Sequence, residues 1–211
     1  SSIGGKVGVN HALGKNLIGA FHQPRLVVID PLLLRTLPRR EFRSGLYEVV
    51  KYGVIASRSL FDRVAGHTKA VFAHDPEALV PIIVESCRIK AEVVSADERE
   101  GGPRRILNFG HTVGHALEAA TKYRRFRHGE AIALGMLAAA DLSVARGALA
   151  ERERQALAQL VAQLGPLPTL SDLSVSDLLE AIRRDKKVVS GRLHFVLAID
   201  IGATRHVDVA G

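Results

Sequence analysis

The chain has 211 residues, 47% of them hydrophobic and 24% charged, which is enough to bury one large core or two small ones. No apolar run reaches the roughly 20 residues that a membrane span requires; the single cysteine, Cys87, excludes an internal disulfide, and no signal segment opens the chain, so a cytoplasmic location is expected. The formal net charge of +7 raises nucleic acid as a partner, but scattered arginines, 5% aromatics and no tryptophan make a poor stacking surface. Part of the positive charge is read instead as facing a small anionic substrate, with neither nucleic acid nor membrane as partner.

The first stretch, Ser1 to Gly19, interleaves Gly4, Gly5, Gly8, Gly14 and Gly19 with Lys6, Lys15 and Asn16. It reads as a loop or short hairpin, and SSIGGKVGVN, without an initiator methionine, reads as a start within a longer protein. Arg25 to Asp30, bounded by Pro24 and Pro31, has the apolar run of a buried strand. A domain boundary is placed near Leu37. From there Pro38 signals a helix start, and Leu46, Val49, Val50, Val54 and Ile55 recur at helical spacing.

Glu48 and Lys51 are neighbours on one face of that helix. A surface ion pair is the ordinary reading, but the flanking Val49, Val50, Tyr52 and Gly53 favour a buried carboxylate and lysine able to bind ligand and anion. Amphipathic helices follow over Leu60 to Phe72 and Pro76 to Ala96, with Asp75 capping the second and His67 and His74 at the surface. Lys90, near the end of the second helix, would by itself be solvated. Asp97 to Arg105 is a charged turn that delivers Glu98, Glu100, Arg104 and Arg105 to the next stretch.

That stretch, Asn108 to Glu130, holds three histidines and two glutamates. His111 and His115 are four apart and share a helix face. A long helix of small apolar residues follows His128 and ends at Gly147; another runs from Glu151 to Leu164, and a third from Ser176 to Arg184 with Ser176 or Asp177 as its cap. After Asp185, Lys186 and Lys187, the segments LHFVLAI and RHVDVA around Gly202 have strand character.

A catalytic zinc-type centre uses three nitrogen or oxygen ligands and one open position. Glu48, His111 and His128 can supply that set. Thr112 stands where a metalloprotease would carry glutamate after its first histidine, which argues against a zinc peptidase.

The segments SSIGGKVGVN, LGKNLIGAF, EVVKYG, KAEVVSADEREGGPRRILNFGHTVGHALE, HGEAIALGM and DKK before a final FVL strand resemble the 3-dehydroquinate synthase family of sugar-phosphate cyclases, in order and almost end to end. The resemblance implies a two-domain fold, α/β plus α. Residues 1–37 would be the β remnant of an NAD-binding domain, and 38–211 a mainly α, metal- and substrate-binding C-terminal domain. The implied activity is a phosphorus–oxygen lyase of the shikimate pathway, in aromatic amino acid biosynthesis. It converts 3-deoxy-D-arabino-heptulosonate 7-phosphate to 3-dehydroquinate and phosphate through oxidation by NAD, phosphate elimination, reduction and aldol closure.

By the same resemblance, Glu48, His111 and His128 ligate zinc or cobalt. Lys6, Lys51, Lys90, Arg104, Asn108 and His115 bind the phosphorylated sugar acid, and Lys186 or Lys187 completes that pocket. His115 transfers protons, Glu100 has an acid–base role, and Lys15 and Asn16 lie on the cofactor side. The family more often carries a small residue where Tyr47 stands. A homodimer is left open. A related sugar-phosphate cyclase, a metal-dependent polyol dehydrogenase and a non-catalytic fragment are the competing readings; the dehydrogenase would not need the cations at Lys51, Lys90 and Arg104.

Overall fold

Pro38 precedes a helix because its ring has a preset φ and the helix start needs no N–H from it. In the computed structural model, which describes residues 3–11, 14–97, 102–184, 188–189 and 192–210, that helix is α1, Arg39–Ala56. The architecture among the described residues is mainly α. Helices α2 (Arg58–Gly66), α3 (Thr68–Phe72), α4 (Pro76–Ala96), α5 (His111–Ala120), α6 (His128–Ala145), α7 (Glu151–Leu164) and α8 (Val175–Arg184) follow in order. A hairpin of β1 (Lys6–His11) and β2 (Gly14–Phe21) opens the chain, and β3 (Val188–Val189), β4 (Arg192–Asp200) and β5 (Ala203–Ala210) form an antiparallel sheet near its end.

Helix α1 buries Phe42, Leu46, Val50 and Val54, a stripe at four-residue spacing that faces the core. Helix α6 is buried on nearly every side through Gly129, Ala131, Ile132, Ala133, Gly135, Met136, Ala139 and Ala140. Such small residues let neighbouring backbones come close. A Cβ on Gly135 would stand 1.9 Å from the carbonyl oxygen of Gly110, and one on Gly129 the same distance from that of Ser44. These glycines therefore set the separations of α6 from the start of α5 and from α1. The sheet docks on the same pair of helices: Gly202 N donates to Val54 O at 2.9 Å, and Ala198 N to Ser143 Oγ at 3.1 Å.

Several expectations are corrected. Arg25 to Asp30 forms no strand; Leu26 and Val28 are 77% and 82% exposed, and an apolar run becomes a strand only where another chain segment completes its ladder. The stretch over Leu60 to Phe72 is two helices, parted at His67. His67 is exposed as expected, but His74 is partly buried with its ring 4.5 Å from that of Phe42. The cap of α8 is Ser174, whose Oγ accepts from Asp177 N at 3.4 Å, rather than Ser176 or Asp177. Tyr47 is accommodated fully buried, its hydroxyl donating to Gly165 O at 3.2 Å, and burial pushes its pKa up to about 12. Asp75 does cap α4, accepting from Glu77 N.

Candidate metal centre and cationic pocket

Asn108 to Glu130 is not one helix. A short 3-10 helix, Pro103–Asn108, runs into Gly110, whose φ of +77° makes the corner before α5. A turn over residues 121–127, with Lys122 and Tyr123 at positive φ, then reverses the chain into α6. His111 and His128 are thereby the first residues of two helices that meet at one end, and Glu48, one turn beyond Ser44 on α1, reaches the same point. Ser44 Oγ accepts from Gly129 N at 3.0 Å, which ties α1 to the start of α6.

Fully buried Glu130 strengthens this tie. It accepts from Arg40 at 2.7 and 2.6 Å and from Arg127 N at 2.9 Å, with Arg43 3.5 Å away. Burial pushes the carboxyl pKa up, but the Arg40 bond, the Arg127 N–H and the guanidinium charge outweigh it and lower the value.

Glu48 Oε1 lies 3.8 Å from His111 Nε2 and 3.5 Å from His128 Nε2, while its other oxygen accepts from Lys51 Nζ at 2.6 Å. Oε1 is buried and without a hydrogen-bond partner, an arrangement that is costly in a protein interior. Each imidazole uses Nδ1 elsewhere, His111 toward Phe109 O at 3.1 Å and His128 toward Glu118 Oε2 at 3.2 Å. Both Nε2 atoms therefore face the orphaned oxygen. Two nitrogens and one oxygen within 4.8 Å of one another are the donor set of a catalytic divalent site, so these residues fit zinc or cobalt.

The electrostatics agree. Burial pushes the Glu48 carboxyl up, but Lys51, His128 and His111 overcome it and hold the carboxyl well below the usual range. Burial and then Lys51 hold His111 neutral, with its pKa well below the ordinary value. The hydrogen bond to Glu118 first, and then the nearby Glu48 carboxylate, raise the His128 pKa to about 9.

Lys51 is only 4% exposed. Half-buried Lys90 on α4 is not the solvated lysine its position suggested: burial first, then Lys51 and Arg104, lower its pKa. Buried Arg104 approaches the opening loop, where a Cβ on Gly4 would lie 3.2 Å from its Nη2 and 3.8 Å from Lys90 Cε. Asp97 Oδ2 holds the preceding turn, accepting from Gly102 N and Arg104 N. Three cations from three elements thus gather beside the carboxylate and imidazoles. Asn108 ends the 3-10 helix, and the His115 ring lies 5.3 Å from His111 and 6.1 Å from His128.

Lys6 stands on β1, and Lys15 and Asn16 on β2, by backbone position. Glu100 and Lys186, with its neighbour Lys187, lie outside the described residues. Glu118 carries no role in the sequence reading, yet the structure brings it to the site. Its signal was available as spacing: His111, His115 and Glu118 fall at i, i+4 and i+7, one face of a helix.

A helical domain with a two-histidine, one-carboxylate centre beside buried cations is the class that fold and site define. The family model described as 3-dehydroquinate synthase C-terminal matches residues 45–188, and that described as 3-dehydroquinate synthase N-terminal matches residues 1–44. The chain belongs to the 3-dehydroquinate synthase family. A 3-dehydroquinate synthase of Solibacter usitatus is 51% identical over 202 residues, covering 96% of this chain and 57% of that protein. That of Acidithiobacillus ferrooxidans is 52% identical over 204 residues, with 96% and 56% covered. The chain thus spans somewhat more than half the length of these relatives.

Among solved structures, 2-epi-5-epi-valiolone synthase from Streptomyces hygroscopicus, with NAD+ and Zn2+ bound, superposes with a TM-score of 0.88 at 29% identity, covering all of this chain and 59% of the other. A 2-deoxy-scyllo-inosose synthase complexed with carbaglucose-6-phosphate, NAD+ and Co2+ gives 0.80 at 26% identity, with 96% and 58% covered.

Proposed function

We propose that this chain is the metal- and substrate-binding portion of a 3-dehydroquinate synthase, a lyase that converts 3-deoxy-D-arabino-heptulosonate 7-phosphate to 3-dehydroquinate and phosphate. Residues 1–37 are then the end of its NAD-binding domain. The observation that carries the reading is the orphaned Glu48 Oε1 between two Nε2 atoms, with Lys51, Lys90 and Arg104 alongside. The roughly 50% identity to proteins of that name supports this substrate over those of related cyclases.

When bound, zinc or cobalt held by Glu48, His111 and His128 supplies Lewis-acid polarisation of a substrate oxygen, and NAD supplies a hydride acceptor that is regenerated within the turnover. The protein residues do the rest. Lys51, Lys90 and Arg104 bind the phosphate and carboxylate through charge-assisted hydrogen bonds, and burial strengthens each of these. Asn108 fixes the orientation of a hydroxyl. His115, on the helix face shared with His111, moves the proton. A polyol dehydrogenase has no use for this gathering of cations.

The test is phosphate release from the heptulosonate phosphate with added NAD and zinc, measured on a version of the chain extended at its start to the length of its relatives. Release that needs both cofactors and disappears in Lys51→Ala is expected. An extended, folded, zinc-loaded protein that releases no phosphate would refute the assignment.

A further inference from the structure

We propose that Glu118 is a positioning residue for the metal centre: its carboxylate accepts the His128 Nδ1–H and turns Nε2 of that ring toward Glu48. The inference rests on the reading of Glu48, His111 and His128 as ligands. Glu118 is 3% exposed on α5, next to the core residue Leu117, where an apolar side chain would be the less costly occupant. Its Oε2 lies 3.2 Å from His128 Nδ1.

The two imidazoles are held differently. His111 has only 12% of its side chain exposed and is fixed by burial as well as by Phe109 O. His128 has 44% exposed, so packing restrains its ring less and the Glu118 bond does more of the orienting. A carboxylate at the far nitrogen also makes Nε2 a stronger donor to a metal than a neutral carbonyl would. Glu118 therefore both selects the tautomer of the more exposed ligand and raises its affinity.

Glu118 also lies within 4.8 Å of ligand atoms of His115 and His128, so direct ligation of a second ion is the rival role. Zinc titration by calorimetry on the 211-residue chain separates the two, together with Co2+ visible absorption and metal-free thermal melts. The proposal expects one zinc per chain, an affinity about 10–100-fold weaker in Glu118→Ala, and an altered cobalt band. Glu118→Gln keeps an oxygen that can accept from Nδ1–H, and it should bind closer to the parent than to the alanine variant. Glu118→Leu fills the buried space without an acceptor and carries the test if the alanine variant does not fold.

A leucine variant that melts lower but binds zinc as tightly as the parent, with the parent's cobalt band, would make Glu118 merely structural and overturn the proposal. A second zinc in the parent, lost in Glu118→Leu, would overturn it by making Glu118 a ligand. If the parent itself binds no zinc, the ligand assignment fails first, and that failure is distinguishable from the others.

Discussion

Replacing Gly129 by alanine tests whether the α1–α6 separation sets the metal site. The added Cβ would lie 1.9 Å from Ser44 O and 2.8 Å from Ser44 Oγ, whereas real Cβ contacts essentially never fall below 3.0 Å. The start of α6 must therefore retreat from α1 by about 1.1 Å, and the immovable partner is backbone rather than a flexible side chain. His128 precedes Gly129 directly and Glu48 lies one turn beyond Ser44, so the shift falls on the Glu48–His128 pair now 3.5 Å apart. Metal bonds of about 2.0–2.2 Å tolerate little of such an error.

Overpacking of this kind costs about 1–3 kcal/mol, a fall of roughly 2–12 °C in melting temperature for a chain of this size. Zinc affinity should fall about 10–100-fold. Gly45→Ala is the matched control. Gly45 is exposed on α1, beside Ser44, with nothing within 4 Å of its Cβ position, and alanine there should stabilise by about 0.5–1 kcal/mol and leave zinc binding unchanged. Calorimetric melting and zinc titration of both variants provide the measurement. A Gly129→Ala protein that melts and binds zinc like the parent would show that this contact does not govern the ligand geometry.

The Glu130 clamp predicts a pH dependence. Its folded pKa is lowered, so its stabilisation is complete above the ordinary carboxylate value of 4.5 and is lost as pH falls through the lower folded value. Glu130→Gln should lose about 1–3 kcal/mol near neutrality, with the gap to the parent closing below about pH 4.5 in urea melts; a gap independent of pH would refute the ion-pair account. At the centre itself, His111→Ala should lose bound zinc while His115→Ala keeps it, and equal zinc content by elemental analysis would overturn the ligand assignment.

Local chemistry made most helices legible. Pro38 before α1, Asp75 before α4, and Gly165 after α7 act through bonds and dihedral limits within a few residues, so the sequence alone locates those ends. Arg25 to Asp30 misled because a strand is completed by a partner, and local apolar character carries no information about whether one is present. Ser174 was missed because three polar residues within four positions compete for one cap, and only the backbone decides which of them reaches the free N–H.

For the site, resemblance to a family pointed to Glu48, His111 and His128, and spacing placed His111 and His115 on one face. The sequence by itself thus determined which chemistry the chain carries: a carboxylate, imidazoles and cations in helical settings. Only the tertiary structure decided that Glu48 Oε1 is the oxygen left without a partner, that Lys90 is half-buried beside Arg104, and that Glu118 grips the far side of His128. These depend on how closely three helices approach. That distance is set by backbone contacts at Gly110, Gly129 and Gly135, between residues far apart along the chain.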